Sequence, residues 1–152
     1  MNKKVNFNDM YPLIFEMLDN GGDVTLKVIG VSMQPMLYNN RDSVKIKRPD
    51  AKLKKNDIAL FKGTNEQFIL HRVKRINSNG SYDFCGDNCW ISEKDIRHEQ
   101  IIGVVTEFIR NGKKHSVKEP LYRLYVFSWP FLHHFKKYYK YLPKFKKQKI
   151  SV

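Results

Sequence analysis

The chain predicts a mainly β fold, a small antiparallel domain with a short N-terminal helix and a basic, aromatic, helical segment at its C-terminal end. Three observations carry this. Short stretches alternate apolar and polar residues with period two, as in Val24, Leu26 and Val28 against Thr25 and Lys27. Turn-forming Gly and Asn clusters separate these stretches. Apolar residues at helical spacing fall only near the two ends.

In chain order, Asp9 is placed to cap a helix over Met10–Leu18, in which Leu13, Ile14, Met17 and Leu18 recur at helical spacing before Asn20-Gly21-Gly22. Val24–Val28 reads as a strand running into Gly30 and a turn that holds Ser32 and Pro35. Asn39–Asp42 is a turn signal, and Ser43–Arg48 alternates again, with Val44 and Ile46 opposite Lys45 and Lys47. Ile58–Phe61 is a short apolar strand, Gly63–Glu66 a hairpin loop and Phe68–Ile76 the next strand. Asn77–Gly80 turns the chain, Tyr82–Phe84 and Ile101–Ile109 are strands, and Asn111-Gly112 is a two-residue hairpin signal before His115–Val117. From Leu121 to Leu132 the chain is apolar and aromatic, and Pro130 is expected to kink or break a helix there. Residues 1–120 thus read as the β domain with its helix, and 121–152 as an aromatic, lysine-rich extension.

At 152 residues the chain suits one core. Its formal net charge is +13, which fits nucleic acid, an anionic membrane surface or an acidic substrate as partner. The position of the charge narrows the choice, because no acidic side chain follows Glu119. Cys85 and Cys89 are too few for a secreted disulfide scaffold, and with His98 as the nearest further ligand they make a poor zinc site, so no metal or cofactor is expected. The lysines at the N-terminus are followed by no long apolar stretch, and no window reaches the roughly 18–20 apolar residues that span a bilayer. The expected location is the cytoplasm, or the membrane surface facing it.

A catalytic serine needs a base within hydrogen-bond reach, donors for the oxyanion and access to substrate. Gly30 and Pro35 flank Ser32 and favour a sharp, exposed backbone there. On the strand Phe68–Ile76, period two sets Ile69, His71 and Val73 on one face and Leu70, Arg72 and Lys74 on the other. His71 thus sits between apolar neighbours, where burial favours the neutral imidazole that accepts a proton. Lys74 becomes a second candidate base if a bulge reverses the alternation.

A series of segments in order resembles the boxes of the signal peptidase I family, within the larger group that includes LexA-type repressor peptidases. Gly30–Leu37, with Ser32-Met33-Gln34-Pro35, resembles the nucleophile box. Leu53–Phe61 resembles the strand box that follows, with Asn56 where glycine is usual. Ile69–Ile76 resembles the general-base box, Cys85-Gly86-Asp87-Asn88 the Gly-Asp-Asn box, and Ile101–Val105 the next strand. The resemblance covers about residues 24 to 110. It implies Ser32 as nucleophile and His71 as base, since His71-Arg72-Val73 matches the histidine-type pattern of the endoplasmic-reticulum and archaeal members. It implies Asp87 as the acidic partner that orients His71 or shapes the site, with Asp95 as a second option. Gly30 stands where some members carry a hydroxyl residue that assists the oxyanion, which leaves that task to backbone N–H groups. The anchor of signal peptidases does not precede the nucleophile box.

These features point to a serine endopeptidase with a Ser32–His71 dyad that cleaves a peptide, leader or signal sequence. A self-cleaving DNA-binding repressor is disfavoured: the residues before Val24 hold no helix-turn-helix, and there is no Ala-Gly bond. The alternative is a nonenzymatic basic protein that binds a membrane surface or nucleic acid through its C-terminal segment. Trp129, Tyr138, Tyr139 and Tyr141 among lysines favour an anionic lipid interface over nucleic acid. Packing of the aromatic part on the β core, with the lysines solvated, is the competing reading.

Overall fold

The computed structural model describes residues 7–139. Helix α1 (Phe7–Asp19) is followed by strands β1 (Asp23–Lys27), β2 (Ser43–Lys47), β3 (Ile58–Lys62), β4 (Phe68–Ile76), β5 (Tyr82–Cys85) and β6 (Glu93–Ile96). A 3-10 turn at His98–Gln100 leads to β7 (Ile101–Arg110), β8 (Lys113–Ser116) and helix α2 (Pro120–Tyr139). The sheet order is β1-β2-β7-β3-β4-β5-β6, with β8 paired to β7. Every strand pair is antiparallel. The mainly antiparallel β fold with a helix at each end is therefore the observed one.

The central strands are covered on both faces, which explains why Ile58-Ala59-Leu60-Phe61 is apolar throughout. Ile58 and Leu60 enter one core cluster with Ile14 and Leu18 of α1, while Ala59 and Phe61 enter a second with Tyr82 and Phe84. Phe61 stacks on Phe84 with ring centroids 4.3 Å apart. Strand β7 divides in the same way, Ile101 facing one cluster and Ile102 the other. The β7–β8 hairpin turns at Asn111 and Gly112, whose φ values of 49° and 74° are those a two-residue turn between twisted strands requires.

Several elements differ from expectation. Helix α1 starts at Phe7, so Asp9 lies within it rather than before it. Strand β6 falls in a polar stretch without period-two patterning. It is an edge strand that buries only Ile96, so one side chain suffices to dock it. Pro130 does not end α2, which is continuous from Pro120 to Tyr139. A proline removes one helical hydrogen bond, and here the preceding turns are fixed by packing: Tyr122 and Tyr125 pack on the first core cluster and Trp129 is buried. Tyr122, Tyr125 and Trp129 of the C-terminal segment therefore pack on the β body, while the side chains of Tyr138 and Tyr139, and the chain from Lys140 onward with Tyr141, lie outside the described residues. Among the described residues no helix is long and apolar enough to cross a membrane.

The long loop between β1 and β2, which carries Ser32, closes on the fully buried carboxylate of Asp42. That carboxylate accepts the Tyr38 N–H at 2.8 Å, the Asn111 N–H at 3.3 Å and both Nε and Nη2 of Arg41 at 2.8 Å. Burial alone would raise its pKa, but the hydrogen bonds from Arg41 and the Tyr38 and Asn111 amides outweigh burial and hold it below the usual carboxylate range. A group whose pKa is depressed by folding stabilises the fold above its unfolded pKa, and that stability is lost as pH falls through the folded value. Asp42→Asn should therefore lower unfolding stability at neutral pH by roughly 1.5–3 kcal/mol. In urea denaturation the gap between wild type and variant should narrow at acidic pH; an equal gap at both pH values would show that the charge is not what matters.

Candidate active site

Ser32 and His71 are brought together across Gly86. A side chain at Gly86 would place its first carbon 2.6 Å from the Ser32 carbonyl oxygen and 2.9 Å from both His71 Nε2 and Cys89 Sγ. Only glycine permits so close an approach of the loop after β5 to the serine loop. The same contact is stapled by the Asn88 N–H, which donates to the Ser32 carbonyl at 2.7 Å, and by Asn88 Nδ2, which donates to the Val31 carbonyl at 3.3 Å. Gly30, at φ 94°, lets the chain turn into the serine segment, and its N–H donates to Asn39 Oδ1 at 2.9 Å. Met33, Met36 and Leu37 bury into the core and leave Ser32 half-exposed between them and the rim.

His71 is buried on β4, and its Nδ1 lies 2.9 Å from Oε2 of Glu93 on β6. With the Nδ1 proton donated to that carboxylate, Nε2 carries the lone pair and faces Gly86 and the serine loop. The strand between them, β5, ends at Cys85, so the next position toward the site is the side-chain-free Gly86. Glu93 is a residue that the sequence reading missed.

Asp87 is expected to orient His71 or to shape the site; its hydrogen bonds run to Arg72 and Tyr125 and not to His71. Its Oδ1 accepts Arg72 Nε at 2.8 Å and its Oδ2 accepts Arg72 Nη2 at 2.7 Å and the Tyr125 hydroxyl at 3.0 Å. Both side chains of the pair are 0% exposed. The physical reason is alternation: Arg72 points to the face opposite His71, and a buried guanidinium claims the nearest carboxylate. Burial alone would lower the Arg72 pKa, but Asp87 more than offsets it and holds the charge. Arg72 Nη1 also donates to the Asn56 carbonyl and the Tyr122 hydroxyl, each at 3.0 Å, and the rings of Tyr122, Tyr125 and Trp129 surround the guanidinium at 5.8–5.9 Å. Burial raises the pKa of both tyrosines, so they remain neutral hydrogen-bonding partners. Asn56, where the resembling box has glycine, sits at φ 77°, a conformation that asparagine tolerates.

Asp95 is also elsewhere: its Oδ1 accepts the Ser81 hydroxyl at 3.0 Å and Asn77 Nδ2 at 3.3 Å, so it braces the β4–β5 turn. Strand β4 does carry a bulge between Val73 and Arg75, but Lys74 there is exposed.

A cleft of about 1020 Å³ opens beside this group. The end of β1 and Gln67 with the Phe68–His71 stretch of β4 form its sides, Ser32, His71 and Glu93 share its wall, and Met33, Val44 and Leu60 make an apolar floor. Burial pushes the Cys85 and Cys89 thiols up. Cys85 is turned to backbone, its Sγ 3.4 Å from the Cys89 carbonyl oxygen.

A serine on a tight loop, a histidine held by a carboxylate and an open apolar cleft in an antiparallel β domain are features of a serine-peptidase type of protein. Residues 2–106 match the model of the Peptidase S24-like family, and the chain belongs to that family, in the group whose boxes the sequence resembles. Comparison with curated proteins finds no match.

The two carboxylates should separate in a stability measurement. Asp87→Asn, which leaves a buried guanidinium without its counter-charge, should lose about 3–5 kcal/mol in urea denaturation. Glu93→Gln, at a partly solvated site, should lose no more than about 1 kcal/mol. Equal losses would mean that the roles of the two carboxylates are misassigned.

Proposed function

We propose that the chain is a serine endopeptidase in which Ser32 is the nucleophile, His71 the general base and acid, and Glu93 the group that orients the imidazole. The observation that carries this reading is the His71 ring, with Nδ1 held by Glu93 and Nε2 turned to the serine loop. In the first step Nε2 takes the Ser32 hydroxyl proton as Oγ bonds to the substrate carbonyl carbon. The imidazolium that forms is stabilised by the Glu93 carboxylate. It returns the proton to the amine as the C–N bond breaks, leaving an acyl-serine. Water then attacks the acyl carbon and gives a proton to Nε2, which returns it to Oγ as the acyl C–O bond breaks, freeing Ser32 and the carboxylic acid product. Backbone N–H groups of the serine loop, that of Ser32 among them, serve the oxyanion.

The substrate is an extended peptide segment of the leader type. Strand β1 is at the sheet edge and borders the cleft, so its unpaired backbone offers hydrogen bonds to an added strand, and the apolar floor accepts apolar side chains. A folded polypeptide surface would not enter a groove of this shape.

Cys89 is the rival nucleophile, since its sulfur also lies near His71 Nε2. The raised thiol pKa argues for Ser32. Cleavage of a library of unstructured peptides, read by mass spectrometry, tests the assignment. Ser32→Ala and His71→Ala should each lower kcat by about a thousandfold or more. Glu93→Gln should lower it by about a hundredfold, with KM little changed. Gly86→Ala, which drives a methyl into the Ser32 carbonyl, should be inactive while still folded. Cys89→Ala should retain activity; if it is dead and Ser32→Ala is active, the nucleophile is the cysteine.

A further inference from the structure

Helix α2 has two faces of different character. One carries Tyr122, Tyr125 and Trp129 and closes over Arg72 and Asp87. The other carries Leu121, Leu124, Phe127 and Phe131, which are 79%, 63%, 75% and 65% exposed. At helical spacing these side chains form a continuous stripe along the outer side of the helix. Four large apolar residues in a row are more than the scattered exposed side chains of an ordinary surface.

Basic residues predominate around the stripe; Glu119, two residues before Leu121, is engaged by the Ser116 N–H and by His115. Arg123 is on α2 itself, and Lys54 and Lys55 border a cleft of about 430 Å³ that Arg123 and Phe127 also line. The one carboxyl of that cleft, Asp57, is already engaged by the Lys54 N–H at 2.7 Å, and burial pushes its pKa up. Beyond Glu119 the sequence holds Arg123 and the lysines at 136, 137, 140, 144, 146, 147 and 149, with no acidic residue.

We infer that α2 seats the protein on an anionic phospholipid surface, with the Leu121–Phe131 stripe in the acyl boundary and the basic residues at the headgroups. A second copy of the chain fits less well, because the same concentration of positive charge would meet itself. Nucleic acid fits less well too: Tyr122, Tyr125 and Trp129, which could stack on bases, face inward, and two of the four exposed residues are leucines. Apolar insertion combined with lysine attraction is the usual chemistry of interfacial helices. This inference does not rest on the peptidase reading.

The test is cosedimentation of the full chain with phosphatidylcholine vesicles, with and without phosphatidylglycerol, at physiological salt. Wild type and Ser32→Ala should pellet alike with the anionic vesicles, and poorly with phosphatidylcholine alone. The double substitution Leu124→Ser and Phe127→Ser, at exposed sites, should leave thermal unfolding unchanged and weaken partitioning by about tenfold or more. Raised salt should release the wild type. Three results would each overturn the inference: no pelleting of wild type, pelleting of the double variant as strongly as wild type, or equal pelleting on both vesicle types. So would vesicle binding abolished by an oligonucleotide that the wild type and the double variant bind equally tightly.

Discussion

The buried pair of Arg72 and Asp87 is the contact on which the site depends. It joins β4 to the loop after β5, and through its other hydrogen bonds it reaches the Asn56 carbonyl, the Met36 sulfur of the serine loop, and Tyr122 and Tyr125 of α2. A buried ion pair contributes little net stability over apolar residues of the same shape, because desolvation opposes the attraction. Its value here is positional. Arg72 follows His71 in the chain, and Asp87 follows Gly86. Fixing the pair on one face of β4 fixes His71 on the other and brings Gly86 beneath the serine loop. The Gly-Asp-Asn segment thus divides its work: Gly86 supplies room, Asp87 holds the arginine, and Asn88 binds the Ser32 and Val31 carbonyls.

Much of this was legible in the residues, and the failures have definite causes. Apart from β6, the strands from Val24 to Ile109 could be read because one-sided burial imposes period two and the doubly covered β3 imposes a continuous apolar run. His71 could be selected by the same alternation. Alternation also held an unused signal for Asp87. It sets Arg72 on the side opposite His71, and the apolar β3 beside it says that both sides are covered. An arginine so placed needs a carboxylate, and Asp87 in the turn after β5 is well placed to supply it. Glu93 carried no such signal, since β6 is a four-residue edge strand with mixed polar residues. Its partnership with His71 follows from sheet order, which local patterning does not contain. The helix break allowed for at Pro130 does not occur because the cost of one proline is local, whereas the packing of Tyr122, Tyr125 and Trp129 extends over the preceding turns.

The pocket chemistry explains how a serine and a thiol can neighbour the same imidazole without confusion. A thiol is nucleophilic as thiolate, and the buried surroundings of Cys89 disfavour that form. A hydroxyl needs no prior ionisation; it needs a base at the moment of attack. Surroundings that keep the Cys89 thiol protonated therefore disfavour cysteine chemistry there. Glu93, at the wetter edge of the cleft, can remain close to His71 without the full penalty of a buried carboxylate, whereas Asp87 tolerates complete burial because Arg72 neutralises it.

Helix α2 lies beyond the residues matched by the family, which end at 106, yet it completes the interior of the domain. Tyr122 bonds to Arg72 and Tyr125 to Asp87, and Trp129 covers the guanidinium. The inner face is aromatic because a buried guanidinium is well accommodated by ring faces that also carry hydroxyl partners. The outer face has no such demand, so four large apolar residues there cannot be attributed to the ion pair or to the core. The two faces are rigidly linked through one helix backbone. Whatever the outer stripe rests on is therefore connected, by α2, Arg72 and one peptide bond, to the histidine beside the serine loop. Docking through this helix would orient the cleft wall that Ser32, His71 and Glu93 share relative to the surface.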